Sequence, residues 1–168
     1  MERKRYESRL FLVSLFLILI LGIYVSISDP SGIARNGSDL DVNSLSGMYW
    51  VLFLIGLGLI ITGIVIRLVA IATLKKNYSG RLRIREDHTL IKNGIYHWIR
   101  HPVYLGLIIT YIGVPVLLSS VLGFLVMLLI IPLLIHRIKL EERMLIERFG
   151  AEYEEYAEHS WKLIPYIY

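Results

Sequence analysis

The feature that most constrains this chain is a charge-free apolar run from Leu10 to about Ile27, followed by a second from Met48 to about Ala72. A helix of about 18 such residues is long enough to cross a hydrocarbon core about 30 Å thick. A cleaved secretory leader has a shorter apolar core followed by small residues, so the first run reads as a retained helix. Only glycines, Thr62 and Arg67 interrupt the second run. Arg67 lies near its far end, where a long stem snorkels to the interface. Two further runs, about 103–118 and 121–136, flank Ser119-Ser120 and read as a tight helical hairpin. Pro115 and Pro132 fall inside them, and membrane helices tolerate proline where neighbours re-satisfy the freed carbonyls. The expected fold is therefore all-α: a polytopic membrane helical bundle of about four transmembrane helices, forming one domain over residues 1–168.

The basic residues cluster where the apolar runs end. Arg3, Lys4, Arg5 and Arg9 precede the first run, and Lys75, Lys76, Arg81, Arg83, Arg85, Lys92 and Arg100 fill the segment after the second. Arg137, Lys139, Arg143, Arg148 and Lys162 follow the last. The turn-rich stretch from Ser28 to Gly47 has only Arg35 against Asp29, Asp39 and Asp41. The positive-inside rule then places both termini and the long basic segment in the cytoplasm, in the cell membrane of a prokaryote or the endoplasmic reticulum of a eukaryote. A net charge of +4 distributed in this way points to lipid as a partner and not to nucleic acid. With no cysteine in the chain, a disulfide framework, a thiolate metal site and a cysteine nucleophile are excluded. No metal site is expected either: His97 and His101 are four apart, but no acidic partner lies within sequence reach.

The polar chemistry falls in two stretches of the basic segments, Glu86–Tyr104 and His136–Pro165. In the first, Arg81-to-Arg85 alternates as extended chain does, and Asn93-Gly94 signals a turn. Arg100-His101-Pro102 opens the third run. Proline suits the first position of a helix, where its missing N–H has no partner in any case. His101 then stands at the N-cap, at a positive dipole end able to bind an anionic group. The plainer reading makes His101, Tyr96, Trp98 and Tyr104 part of an interfacial aromatic belt. In the second stretch the last run continues as a charged helix to Phe149, with Gly150 as its C-cap. Arg137 and Glu141 share a face four residues apart. They form either an exposed ion pair worth about 0.3–0.5 kcal/mol or a charge pair at the mouth of a cavity.

These residues resemble a known family. His88-Thr89-Leu90, Gly94-Ile95-Tyr96, Trp98 and Arg100-His101-Pro102-Val103-Tyr104-Leu105-Gly106 are similar to the signature of isoprenylcysteine carboxyl methyltransferases. Glu141-Glu142, Phe149-Gly150, Tyr153, Tyr156 and Pro165 are similar to that family's C-terminal signature, shared more loosely with phospholipid N-methyltransferases. The resemblance covers about 81–165. It implies S-adenosylmethionine as cofactor, in a cytoplasmic pocket enclosed by the last hairpin and the C-terminal segment. Cofactor contacts would fall on His88, Thr89, Leu90, Ile91, Tyr96, His101, Pro102, Val103, Tyr104 and Glu141. Arg137 would meet the substrate, and Arg137 and Glu142 are the candidate catalytic residues. The eukaryotic members have additional N-terminal spans, which leaves substrate choice more open than cofactor choice.

An arginine at the substrate favours a carboxylate acceptor, because its planar fork binds a carboxylate at two points. A carboxylate is already ionised, whereas an ammonium or thiol would need a base such as Glu142 or a histidine. The expected function is methyl transfer to the carboxylate of a lipophilic, prenylcysteine-like substrate that enters from the inner leaflet. The alternatives are a phospholipid N-methyltransferase, a membrane reductase of the sterol-reductase type using NADPH, and a non-enzymatic scaffold. The sequence leaves the oligomeric state open, although Gly56, Gly58 and Gly63 suit close helix packing.

Overall fold

A computed structural model describes residues 2–30, 46–78 and 89–165. His88 and the Arg81-to-Arg85 segment lie outside the described residues. The first helix, α1, runs Glu2–Ser28, and α2 runs Ser46–Leu74, each covering the apolar run expected of it with a turn or two to spare. A short 3-10 turn, Lys75–Asn77, ends α2. A second, Gly94–His97, opens at Gly94 with φ +61°, a conformation that glycine adopts without the Cβ penalty. Helix α3 spans Pro102–Leu117, with Pro102 in its first turn and His101 at the N-cap, as expected.

The run at 121–136 departs from expectation. It is not one continuous helix but two in tandem, α4 (Val121–Met127) and α5 (Ile130–Phe149). Pro132 is the physical reason: it has no N–H, and its ring crowds the carbonyl four residues back, that of Leu128. The backbone tightens there, Leu129 N donating to Val126 O at 3.1 Å and Ile131 N to Leu128 O at 3.0 Å. Helix α5 then continues past the apolar run to Gly150, whose φ of +52° ends it and starts α6, Ala151–Glu158.

Among the described residues, three segments are long and apolar enough to cross a membrane: Tyr6–Ser28, Met48–Leu74 and the tandem Val121–Phe149. The charged half of α5, from His136 onward, extends beyond the apolar part of the third. Helix α3, at 16 residues, is shorter. In the first two, only 17% and 11% of the apolar window is buried within the chain, so most of that surface faces lipid. The protein is a helical membrane protein.

Two seams hold the bundle together. Helix α2 lies along α3 in the most extensive interface of the fold, glycine to glycine: a Cβ on Gly106 would stand 2.5 Å from Gly63 O, and one on Gly113 3.0 Å from Gly56 O. Gly56 and Gly63 of α2 thus pack within the chain, whereas a Cβ on Gly58 would meet nothing within 4 Å. Helix α1 packs instead on α4, where a Cβ on Gly22 would stand 2.5 Å from Met127 Cε. Phe11, Leu15, Leu107, Tyr111, Met127, Ile130 and Leu134 form the core between α1, α3 and the tandem helices. Two polar ties fasten α1. The Tyr111 hydroxyl donates to Leu15 O at 2.9 Å. Buried Asp29 accepts from the Ser120 hydroxyl at 2.7 Å and from Leu122 N at 3.1 Å, so the end of α1 caps the start of α4.

Candidate functional site

Around the start of α3 and the charged half of α5, helices α1, α2, α3, α5 and α6 surround an open cavity with about 1270 Å³ of empty space, its mouth included.

Its walls are built by local rules. On α5, Arg137, Glu141, Leu145 and Phe149 repeat every four residues, which sets them on one stripe facing inward. From the start of α3 come His101, Val103, Tyr104 and Leu107, and the preceding turn supplies Tyr96. Thr89, Leu90 and Ile91 form another wall. Asn77 at the exit of α2 holds this wall in place, its Nδ2 donating to Thr89 Oγ1 at 3.0 Å and to Thr89 O at 3.3 Å. Tyr153 and Tyr156 of α6 complete the enclosure, and the Tyr156 hydroxyl donates to Tyr96 O at 2.6 Å.

The polar groups are arranged in two tiers. In one, the Tyr104 hydroxyl donates to Glu141 Oε2 at 2.7 Å. In the other, one turn earlier on α5, Arg137 is 4% exposed. Its guanidinium lies 4.6 Å over the Phe11 ring and its Nη1 is 3.4 Å from Ser8 Oγ. A cation over an aromatic face gains about 0.5–2 kcal/mol, more as water is excluded. The fork is therefore oriented by α1 as well as by its own helix. Burial, with Glu141 second, raises the Tyr96 phenol well above its ordinary range. Burial, with Glu142 second, does the same for Tyr153, while burial pushes Tyr156 up to about 12. These phenols stay neutral donors at physiological pH.

Eight of the ten expected cofactor contacts line this cavity together with Arg137: Thr89, Leu90, Ile91, Tyr96, His101, Val103, Tyr104 and Glu141. Pro102 does not; it is fully buried behind the wall as the first residue of α3. Glu142, expected beside the reacting group, is also not part of the lining. Consecutive helical residues are about 100° apart, and Glu142 turns toward the C-terminal segment. Its Oε1 meets Arg100 Nε at 3.3 Å and His101 Nε2 at 3.4 Å, and its Oε2 meets Lys162 Nζ at 2.9 Å. Burial would raise its pKa, but hydrogen bonds and charge from His101 and Lys162 outweigh burial and hold it at about 2.

Other lining residues were not among the expected ones. Phe11, Leu12 and Leu15 of α1 and Arg67 and Leu74 of α2 border the cavity. Nothing in the apolar pattern distinguishes Phe11, Leu12, Leu15 and Leu74 from their lipid-facing neighbours, whereas Arg67 stood out as the charge in the second run. Tyr153 and Tyr156, expected only as signature residues, prove to be walls.

The sequence profile described as the isoprenylcysteine carboxyl methyltransferase family matches residues 54–147, more than half of the chain and all of α3, α4 and most of α5. The chain belongs to this family. A probable protein-S-isoprenylcysteine O-methyltransferase of Oryza sativa subsp. indica is 36% identical over 122 residues, 71% of this chain and 64% of that protein. The protein-S-isoprenylcysteine O-methyltransferase of Saccharomyces cerevisiae is 35% identical over 132 residues, 77% of this chain and 55% of its own length. The chain thus spans less than two thirds of these relatives. A solved structure described as the eukaryotic intramembrane Ras methyltransferase ICMT (isoprenylcysteine carboxyl methyltransferase) superposes with a TM-score of 0.62 at 25% identity, covering 96% of this chain and 68% of that one.

Proposed function

We propose that the protein is an S-adenosylmethionine-dependent carboxyl methyltransferase whose acceptor is a lipophilic, prenylcysteine-like carboxylate. The observation that carries this reading is the pairing of two tiers in one cavity: Glu141 with Tyr104 in one, Arg137 anchored on Phe11 in the other. Family membership supports the same chemistry.

The donor set fits the cofactor. Among the described lining residues Glu141 is the one acid, suited to the cofactor's hydroxyls or to its positive charge. Tyr96, Tyr104, Thr89 and His101 add polar contacts, and Leu90, Ile91 and Val103 an apolar surface for an adenine ring. When bound, S-adenosylmethionine supplies an electrophilic methyl group. The chain's own residues then orient and desolvate. Arg137 holds the acceptor carboxylate by its fork, and the Phe11 ring keeps that fork from swinging away. Alignment of nucleophile and methyl carbon is worth about 7–11 kcal/mol of barrier.

No base is called for. Glu142, ionised with a pKa near 2, is a poor proton acceptor at neutral pH, since general bases work best with a pKa near the operating pH. A carboxylate acceptor needs no deprotonation, so Glu142 is not required as a base. The acceptor's apolar chain enters from the membrane between α1 and α2, which touch one another little, while each contributes apolar side chains to the cavity. We place both termini and the cavity mouth on the cytoplasmic side, following the basic residues.

Purified protein incubated with methyl-labelled S-adenosylmethionine and, separately, a prenylcysteine, a fatty acid and phosphatidylethanolamine tests the reading. A base-labile methyl ester on the prenylcysteine is the expected product. Label in methylated phosphatidylethanolamine, with none in the esters, would overturn it.

A further inference from the structure

We infer that Glu142 is a positioning residue, clamping the C-terminal segment Ser160–Lys162 onto residues 98–101 and so fixing the wall of the cofactor cavity. The nature of the ligand rests on the methyltransferase reading; the clamp does not.

The clamp has a backbone part and an ionic part. Ile99 and Trp161 form an isolated parallel bridge. Arg100 N donates to Trp161 O at 2.8 Å, His101 N to Lys162 O at 3.1 Å, and Trp161 N to Trp98 O at 2.9 Å. A bridge this short is marginal by itself, because isolated strand pairs are not stable in water. The Arg100 side chain adds bonds to the same segment, Nη1 donating to Ala157 O at 2.6 Å and to Ser160 O. Glu142 joins the parts. One carboxylate contacts Arg100 and His101 on one side of the bridge and Lys162 on the other, and accepts from the Tyr153 hydroxyl at 3.4 Å.

The placement makes this more than a surface ion pair. Glu142 is 14% exposed, and it does not line the cavity. Three of the groups that it touches do: Arg100, His101 and Tyr153. A residue behind the wall thus sets the position of residues in it. Neutralising Glu142 does not merely remove an attraction. It leaves Arg100 and Lys162 with like charges on either side of the bridge, so the segment is pushed away from His101.

Glu142→Gln and Lys162→Gln, made in the full chain in lipid nanodiscs, test the inference. Without cofactor, hydrogen exchange at the amides of Arg100, His101 and Trp161 speeds up about tenfold or more in Glu142→Gln. The S-adenosylmethionine dissociation constant rises about tenfold in Glu142→Gln, equivalent to about 1.4 kcal/mol, and roughly threefold in Lys162→Gln. The kcat at saturating cofactor stays within about twofold in Lys162→Gln, and Glu142→Asp recovers part of the affinity. Unchanged exchange at the three amides would show that there is no clamp. A collapse of kcat with unchanged cofactor affinity would make Glu142 a catalytic residue and overturn the inference. Should Glu142→Gln fail to fold, Lys162→Gln carries the same test from the more exposed partner. Wild-type protein that binds no S-adenosylmethionine would refute the cofactor reading and its coupling to the clamp, while the exchange data would still decide whether the clamp exists.

Discussion

Replacing Gly106 with alanine probes how the α2–α3 seam shapes the cavity. The new Cβ would stand 2.5 Å from Gly63 O, 3.0 Å from Arg67 N and 3.2 Å from Arg67 Cβ. All three are backbone or Cβ atoms, so no side chain can rotate out of the way. Ordinary contact begins at 3.4 Å, and relieving the closest approach requires a displacement of about 0.9 Å, from 3.4 minus 2.5. Overpacking of this kind costs about 1–3 kcal/mol. The displacement also moves Arg67 relative to Val103 and Tyr104, which border the cavity from the two sides of the seam. A misplacement of about 1 Å can lower turnover about a hundredfold, so the expected loss in kcat/KM is about ten- to a hundredfold. Gly58→Ala is the control, since nothing lies within 4 Å of its Cβ. On propensity it leaves stability unchanged or raises it by up to about 1 kcal/mol. Thermal unfolding in nanodiscs and steady-state kinetics measure both. A Gly106→Ala protein as stable and active as wild type would refute the close-packed seam.

The geometry makes three other outcomes testable. Arg137→Ala abolishes turnover and leaves S-adenosylmethionine affinity intact, whereas Glu141→Ala weakens the cofactor itself; calorimetric titration separates the two, and normal cofactor affinity in Glu141→Ala would contradict this division. The Glu142 carboxyl falls from 4.5 to about 2 on folding, so its contribution of about 3 kcal/mol is present in full above pH 4.5 and is lost as the pH falls from there through 2. Unfolding of wild type measured against pH should show that loss, and Glu142→Gln should not. Asp29→Ala removes the acceptor for Ser120 Oγ and Leu122 N and lowers stability by about 1–3 kcal/mol, the cost of an orphaned buried donor, with cofactor affinity unchanged.

The helices at Leu10–Ile27 and Met48–Ala72 were legible because bilayer thickness imposes run length and excludes charge. His101-Pro102 was legible because proline at the first helical position carries a local rule that tertiary packing does not override. The interruption between α4 and α5 was carried in the sequence by Pro132, but bilayer helices absorb a proline or break at it according to their neighbours. Glu141 and Glu142 are identical in chemistry and adjacent in sequence; only the roughly 100° between them on α5 sends one to Tyr104 and the other to Lys162. Phe11 illustrates the opposite limit. Its role beneath Arg137 depends on a contact across 126 residues, from 137 minus 11, that no local pattern encodes.

The ties of α1 bear on how the protein is made. Leu15 waits for Tyr111, Asp29 for Ser120 and Ser8 for Arg137, at separations of 96, 91 and 129 residues. At about 5–20 residues per second of synthesis, α1 resides in the bilayer for about 5–25 s before its partners emerge. Through that interval Asp29 has no Ser120 to satisfy it. Until then α1 has at most α2 beside it, and not the later helices on which it packs. Arg137 is the last of these partners to emerge, so the cavity acquires its α5 wall against Phe11 only after those of α2 and α3.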